Sequence, residues 1–191
     1  MKNLIITIAA LISTFSVNAQ TKIGPVFNEY LADSFIFAKI NEVRVNNGAT
    51  KLVPSGNLRK YVSQRMVSIM VKENRLFHPP IPTDKGFYKQ IEIIGKEYSN
   101  VNDSQRILYL QDTIPVFVIS EIAAKVGNNF FTYEELAEKC VNGWLNSPPH
   151  KGIMLSENYN FRSKKLENIL VGVSTKKVNN YYYSCVNYIE F

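Results

Sequence analysis

The sequence predicts an α+β fold in which helices lie against an antiparallel sheet. Three observations carry that prediction. Apolar residues recur at spacings of three and four through residues 25–46 and again through residues 58–74. A capping box, Thr132-Tyr133-Glu134-Glu135, opens a later helix that must stop before Pro148-Pro149. The last stretch, residues 170–189, is β-rich and holds a run of tyrosines.

Residues 1–19 read as an export leader, outside the folded domain. Lys2 and Asn3 form a short positive start, residues 4–12 are apolar, and Val17-Asn18-Ala19 has small residues where a signal peptidase cuts. The apolar run is shorter than the about 20 residues that a bilayer-spanning helix needs. The mature chain, residues 20–191, is therefore expected to be a single exported domain, periplasmic or extracellular, with no integral membrane segment. At 46% hydrophobic and 20% charged it has material for one core. The formal charge is +6, or +5 without Lys2. Its basic residues are scattered, with short pairs such as Lys164-Lys165 and Lys176-Lys177. A nucleic-acid binder would show a basic stripe interleaved with aromatics, so nucleic acid is excluded as a partner. Cys140 and Cys185 are the two cysteines. Export permits a disulfide between them, while free thiols also bury well in apolar company; both states stay open at this point.

In the first helix, Phe27, Leu31, Ser34, Ala38, Asn41 and Val45 make one face, and Gly48 suits the cap after it. Ser55 is the candidate N-cap of the second helix, whose apolar face is Leu58, Val62, Met66, Ile69 and Met70. His78 follows, and Pro79-Pro80-Ile81-Pro82 forbids further helix. Residues 79–119 read as an elaboration on the core, with a strand at 90–94, a turn at 100–103, a short helix or strand at 104–111 and a buried strand at 115–119. The capping-box helix turns Leu136, Cys140, Trp144 and Leu145 inward, with Phe131 and Leu136 as a hydrophobic staple. Short helical turns follow at 151–155. Strands at 170–174 and 181–189, joined by a turn at 178–180, close the chain.

Three side chains stand out as a possible site: His78 after the second helix, Glu121 after the buried strand at 115–119, and His150 after the tryptophan helix. Two imidazoles and a carboxylate suit a zinc ion with an open fourth position, or proton transfer. A structural or surface role for each histidine is the competing reading. Neither an H-E-x-x-H helix nor a nucleophile elbow is present. Ser147, three residues before His150, reads as a cap and not as a nucleophile, and Trp144 reads as core.

Four segments of this sequence resemble the CAP superfamily (cysteine-rich secretory proteins, antigen 5 and pathogenesis-related 1 proteins, also called the SCP domain), in its bacterial secreted branch. They are Ile40-Asn41-Glu42-Val43-Arg44 with Gly48 and Leu52; His78; Ser120-Glu121-Ile122-Ala123; and Gly143-Trp144-Leu145-Asn146-Ser147-Pro148-Pro149-His150 running on to Leu155. Val171-Gly172-Val173 and the tyrosines at 181–183 fit the family's closing strands. The resemblance implies a three-layer α-β-α sandwich around a mostly antiparallel sheet. It implies a cleft holding His78, Glu121 and His150, where some members bind a divalent metal such as zinc. It also implies a ligand-binding or interaction module, whose partner would be a small ligand (a lipid or cell-envelope fragment) or a protein. The alternative it leaves is a metal-dependent hydrolase using the same residues. The sequence departs from the family where Ser147 stands in place of a second glutamate, where Ile122 replaces an asparagine, and in the length of 79–119.

Overall fold

The computed structural model describes residues 22–24, 26–101, 109–110, 114–115, 118–129, 132–155 and 169–190. The expected leader, most of the 104–111 segment, Phe131 of the staple and the Lys164-Lys165 pair lie outside the described residues.

Helix α1 (Glu29–Asn46) starts where the Asn28 side chain accepts from the Leu31 N–H at 3.0 Å. It ends before Gly48, which holds φ +74°, a conformation that a side chain disfavours. Its buried residues are Ala32, Asp33, Ile36, Ile40 and Arg44. This corrects the expected face: Ser34, Ala38 and Val45 are exposed. The true face contains two charged residues, which an apolar-periodicity argument discards. Each is stabilised by a specific partner. Arg44 donates to the Thr50 carbonyl at 2.8 Å and to the Met154 carbonyl, and Asp33 accepts from Arg59 at 2.7 Å.

The short strand β1 (Val53–Pro54) leads to α2 (Gly56–Leu58), a π-helical stretch Arg59–Ser63, and α3 (Gln64–Lys72). Ser55 caps this run, accepting from the Leu58 N–H at 3.0 Å. Leu58, Val62, Met66 and Met70 are buried, four residues apart throughout. Residues 90–94 are not a strand. They belong to helix α4 (Lys85–Val101), which packs against α2 and buries Phe87, Ile91 and Ile94 in the same cluster as Leu58, Val62, Met66 and Met70. With Ile93 42% exposed, the apolar run 91, 93, 94 mimics alternation, but the helical spacing 87, 91, 94 decides the packing. The expected turn at 100–103 likewise begins inside α4, and residues 102 and 103 lie outside the described set.

Two short strands, β2 (Tyr109–Leu110) and β3 (Ile114–Pro115), pair antiparallel. Then come β4 (Val118–Gly127), α5 (Tyr133–Leu145), α6 (Pro148–Leu155), β5 (Leu170–Val178) and β6 (Tyr181–Glu190). The capping box of α5 is made in both directions, each bond 3.1 Å. Asn179, with φ 51°, makes the tight turn between β5 and β6.

The main sheet runs β1-β5-β6-β4, antiparallel except where β1 meets β5. Period-two alternation divides β6 cleanly. Tyr182, Val186 and Tyr188 pack with α1 and α5, while Tyr183, Cys185 and Ile189 pack with α3 and α4. Both sheet faces are thus covered, a three-layer α-β-α sandwich, and the tyrosine strand lies between two helical layers rather than between helices and water. The cysteines are free thiols. They lie on opposite faces of the sheet, Cys140 with the α1 layer and Cys185 with the α3 layer, so the sheet itself separates them and no bridge forms.

At Gly172 on β5, an added Cβ would sit 2.6 Å from the Arg59 nitrogen and 2.7 Å from the Ser63 hydroxyl. The π-helical stretch is therefore pressed directly onto the sheet, and Ser63 donates to the Gly172 carbonyl at 2.9 Å. No helix among the described residues is long and apolar enough to cross a membrane.

Candidate functional site

Strand β4 forms the outer edge of the sheet. Glu121 lies on it, directly opposite Asn187 of β6 in the register. Alternation turns both side chains toward the α3 layer, the side from which the chain leaves α3 and reaches His78. The proline run after His78 keeps that segment extended and brings it across the β4 edge. His150 arrives from the other layer. Pro148 and Pro149 occupy the first turn of α6, where the absence of an N–H costs no helical bond, and His150 follows them in that turn. It is thus the third residue of α6 and lies within a helix.

The three side chains line one cleft of about 340 Å³, together with Ile119, Ile153 and Asn187. His78 Nδ1 lies 2.8 Å from Glu121 Oε1, and Asn187 Nδ2 donates to Glu121 Oε2 at 3.3 Å. Asn187 is fully buried, and its Oδ1 accepts from the Cys185 thiol at 3.3 Å. A relay therefore runs from the core outward: Cys185 orients Asn187, Asn187 steadies Glu121, and Glu121 holds His78. The last contact sets the histidine's tautomer, because a proton on Nδ1 facing the carboxylate leaves the Nε2 lone pair free.

The His78 and His150 rings are 6.0 Å apart, centroid to centroid, and inclined by 54°. Burial first, and then the neighbouring His78, push the His150 pKa below its ordinary 6.5. His150 therefore favours the neutral form. Its side of the cleft offers an uncharged imidazole beside Ile153 and Pro149.

Asn187 is the residue that the sequence reading missed. Its signal was a lone amide on the strand face otherwise filled by Tyr183, Cys185 and Ile189. A buried polar side chain in an apolar row usually holds something.

The fold is similar to that of an outer surface protein of Borrelia burgdorferi, with a TM-score of 0.51 at 17% identity over 83% of this chain and 92% of that one. A cysteine-rich secretory protein of Staphylococcus aureus aligns at a TM-score of 0.47, 15% identity and 87% of this chain. An extracellular protein of Bacillus anthracis that contains an SCP domain aligns at 0.48, 17% identity and 88% of this chain. This chain spans 40% and 45% of those two proteins, and at such TM-scores they stand as likenesses only. No protein-family model and no curated protein sequence matches the chain. Within the sandwich, Ile40 to Arg44 lie on α1, His78 follows α3, and Trp144 to His150 cross the α5–α6 junction; Glu121 lies inside the edge strand β4, not after a strand that ends at 119 as the sequence suggested.

The chain folds as an α-β-α sandwich similar to that of the Borrelia outer surface protein. In this sandwich His78, Glu121 and His150 line one cleft, but they do not form a three-ligand metal set as placed. Among the described residues no three His, Cys, Asp or Glu side chains are grouped to hold a metal ion. The reason is visible in the relay: Glu121 commits Oε1 to His78, and so stands behind a histidine instead of beside it. Ser147, where the family has a second glutamate, does not line the cleft; its carbonyl accepts from the Lys151 N–H at 2.8 Å, in the capping position of α6.

Proposed function

We propose that this chain is an exported CAP-domain binding module whose cleft takes a small ligand with an apolar body and a polar end, such as a lipid or a cell-envelope fragment. The observation that carries the reading is the division of the cleft. Ile81, Ile119 and Ile153 supply apolar walls, while His78, Glu121 and His150 present polar groups. The Borrelia protein with the similar fold is an outer surface protein, which supports export. Binding to the folded state raises stability by mass action, about 2.7 kcal/mol at a hundred times Kd. A thermal-unfolding screen against lipids and peptidoglycan fragments is therefore the test. A ligand that raises the Tm of wild type, and raises that of Glu121→Gln less, supports the reading; a panel that leaves wild type unmoved overturns it.

The second reading is a hydrolase, favoured by one observation: Glu121 braces His78 so that Nε2 is left to take a proton from a bound water. The family resemblance attaches a divalent metal to that reading, yet the cleft offers two imidazoles for it and no free carboxylate. Zinc that raises the Tm of wild type but not of His150→Ala would favour this reading, as would hydrolysis within a peptide and ester panel.

A further inference from the structure

A second cleft, of about 280 Å³, lies at the opposite edge of the sheet, between α1 and the π-helical stretch, with Phe37, Pro54 and Val173 among its walls. Asp33 and Arg59 line it. Their ion pair is half made. Arg59 Nε meets Asp33 Oδ2 at 2.7 Å, whereas Asp33 Oδ1 and Arg59 Nη2, both buried, have no hydrogen-bond partner among the described residues. An arginine and a carboxylate ordinarily close such a fork with two parallel bonds. Here that second bond is not made, which leaves one buried donor and one buried acceptor without partners among the described residues.

We propose that this cleft binds a small neutral ligand through an amide edge, its carbonyl accepting from Arg59 Nη2 and its N–H donating to Asp33 Oδ1. An amide presents an acceptor and a donor on one edge, which is the complement of the open fork. A carboxylate would be repelled by Asp33, and an ammonium by Arg59. Burial, the largest influence, raises the Asp33 pKa to about 7, against the pull of Arg59 and the Thr175 hydroxyl. With Asp33 ionised the pair is neutral overall, in keeping with an uncharged ligand, so binding is read at pH 8, above the Asp33 pKa of about 7. The Tyr30 ring, 69% exposed, lies across the guanidinium at 4.0 Å and covers the fork; ligand entry swings that ring aside. The wall behind is close-packed: a Cβ at Gly172 would meet the Arg59 nitrogen at 2.6 Å. π-Helical turns often mark functional sites.

The site is separate from the His78 cleft, so either can fail alone. The test is NMR titration of the full chain, following Tyr30, Phe37 and Val173, with isobutyramide, methyl isobutyrate, isobutyrate and isobutylammonium. Isobutyramide should give saturable shifts with affinity at least about tenfold above the other three, the value of one hydrogen bond of about 1.4 kcal/mol. No saturable shift with the amide, or an equal response to the ester, overturns the proposal. Arg59→Lys keeps the charge and loses Nη2, so it should weaken amide binding by a similar factor; unchanged affinity in a folded Arg59→Lys also overturns it. If that variant does not fold, the four-probe comparison on wild type decides. N-acetylglucosamine and N-acetylvalinamide then separate an amino-sugar source of the amide from a peptide source.

Discussion

The indole N–H of Trp144 donates to the carbonyl of Ala123 at 2.9 Å, a bond from helix α5 to the outer edge strand of the sheet. The side chain that fills the core therefore also occupies a backbone acceptor on β4, at the edge where an unpaired strand would invite another chain. Trp144→Phe keeps most of the apolar volume but leaves that carbonyl unpaired. The expected loss is about 1–3 kcal/mol of unfolding free energy, measured by denaturant titration. An unchanged midpoint would show that the bond contributes nothing.

Gly172→Ala should be more damaging than its single added methyl suggests. The new Cβ meets backbone atoms of Arg59 and Leu58 at 2.6 and 2.8 Å, and backbone cannot rotate away. A loss of about 3 kcal/mol, at the upper end for overpacking, is expected, read as a lowered Tm.

His150 is held below its ordinary pKa by burial and then by His78. His78→Gln removes the second cause and leaves the first, so the His150 pKa should rise without fully recovering. A pH titration of the His150 ring protons by NMR reads this directly. The sign for stability follows. The unfolded chain binds the proton more readily, so stability falls as pH drops through about 6.5, and His78→Gln should make that fall shallower.

Asp33 works in the opposite direction. Its pKa is raised from 3.8 to about 7, so the folded chain keeps a proton that the unfolded chain has lost. Its contribution is complete below the unfolded value and disappears as pH rises through about 7. Asp33→Asn removes this dependence, with a slope of at most about 1.4 kcal/mol per pH unit for one proton. Relative to wild type, the variant's unfolding free energy should therefore climb between pH 4 and 8, as measured in urea; a flat difference would contradict the assignment.

The thiols offer a further check. Burial pushes Cys140 up to about 12 and raises Cys185 as well, which keeps both as unreactive thiols. Native protein should not react with a thiol reagent, two thiols should appear on unfolding, and a reductant should leave the Tm unchanged.

Much of this was legible in the residues. Thr132 and Glu135 build their capping box from neighbours in sequence. Pro148 and Pro149 stop one helix and start the next, and Ser55, Gly48 and Asn179 mark ends and turns by local chemistry alone. Other features were not legible, for definite reasons. The apolar positions of α1 satisfied helical spacing on more than one face, and the face that packs includes Asp33 and Arg44, whose burial depends on Arg59 and on the carbonyls of Thr50 and Met154. Residues 90–94 alternate well enough to imitate a strand, until Phe87, Ile91 and Ile94 join the cluster of Leu58, Val62, Met66 and Met70.

The sequence by itself determined the ends of α1 and α5 and the starts of the Ser55-capped run and of α5, because caps, prolines and turns act over three or four residues. It also supplied the candidate side chains His78, Glu121 and His150. Only the tertiary structure decided how they meet. Register on β6 sets Asn187 opposite Glu121, the sheet parts Cys140 from Cys185, and the edge position of β4 opens the cleft between two layers. Those relationships join residues 43 and 66 positions apart, and such distances are set by which surfaces bury against each other, not by local preference.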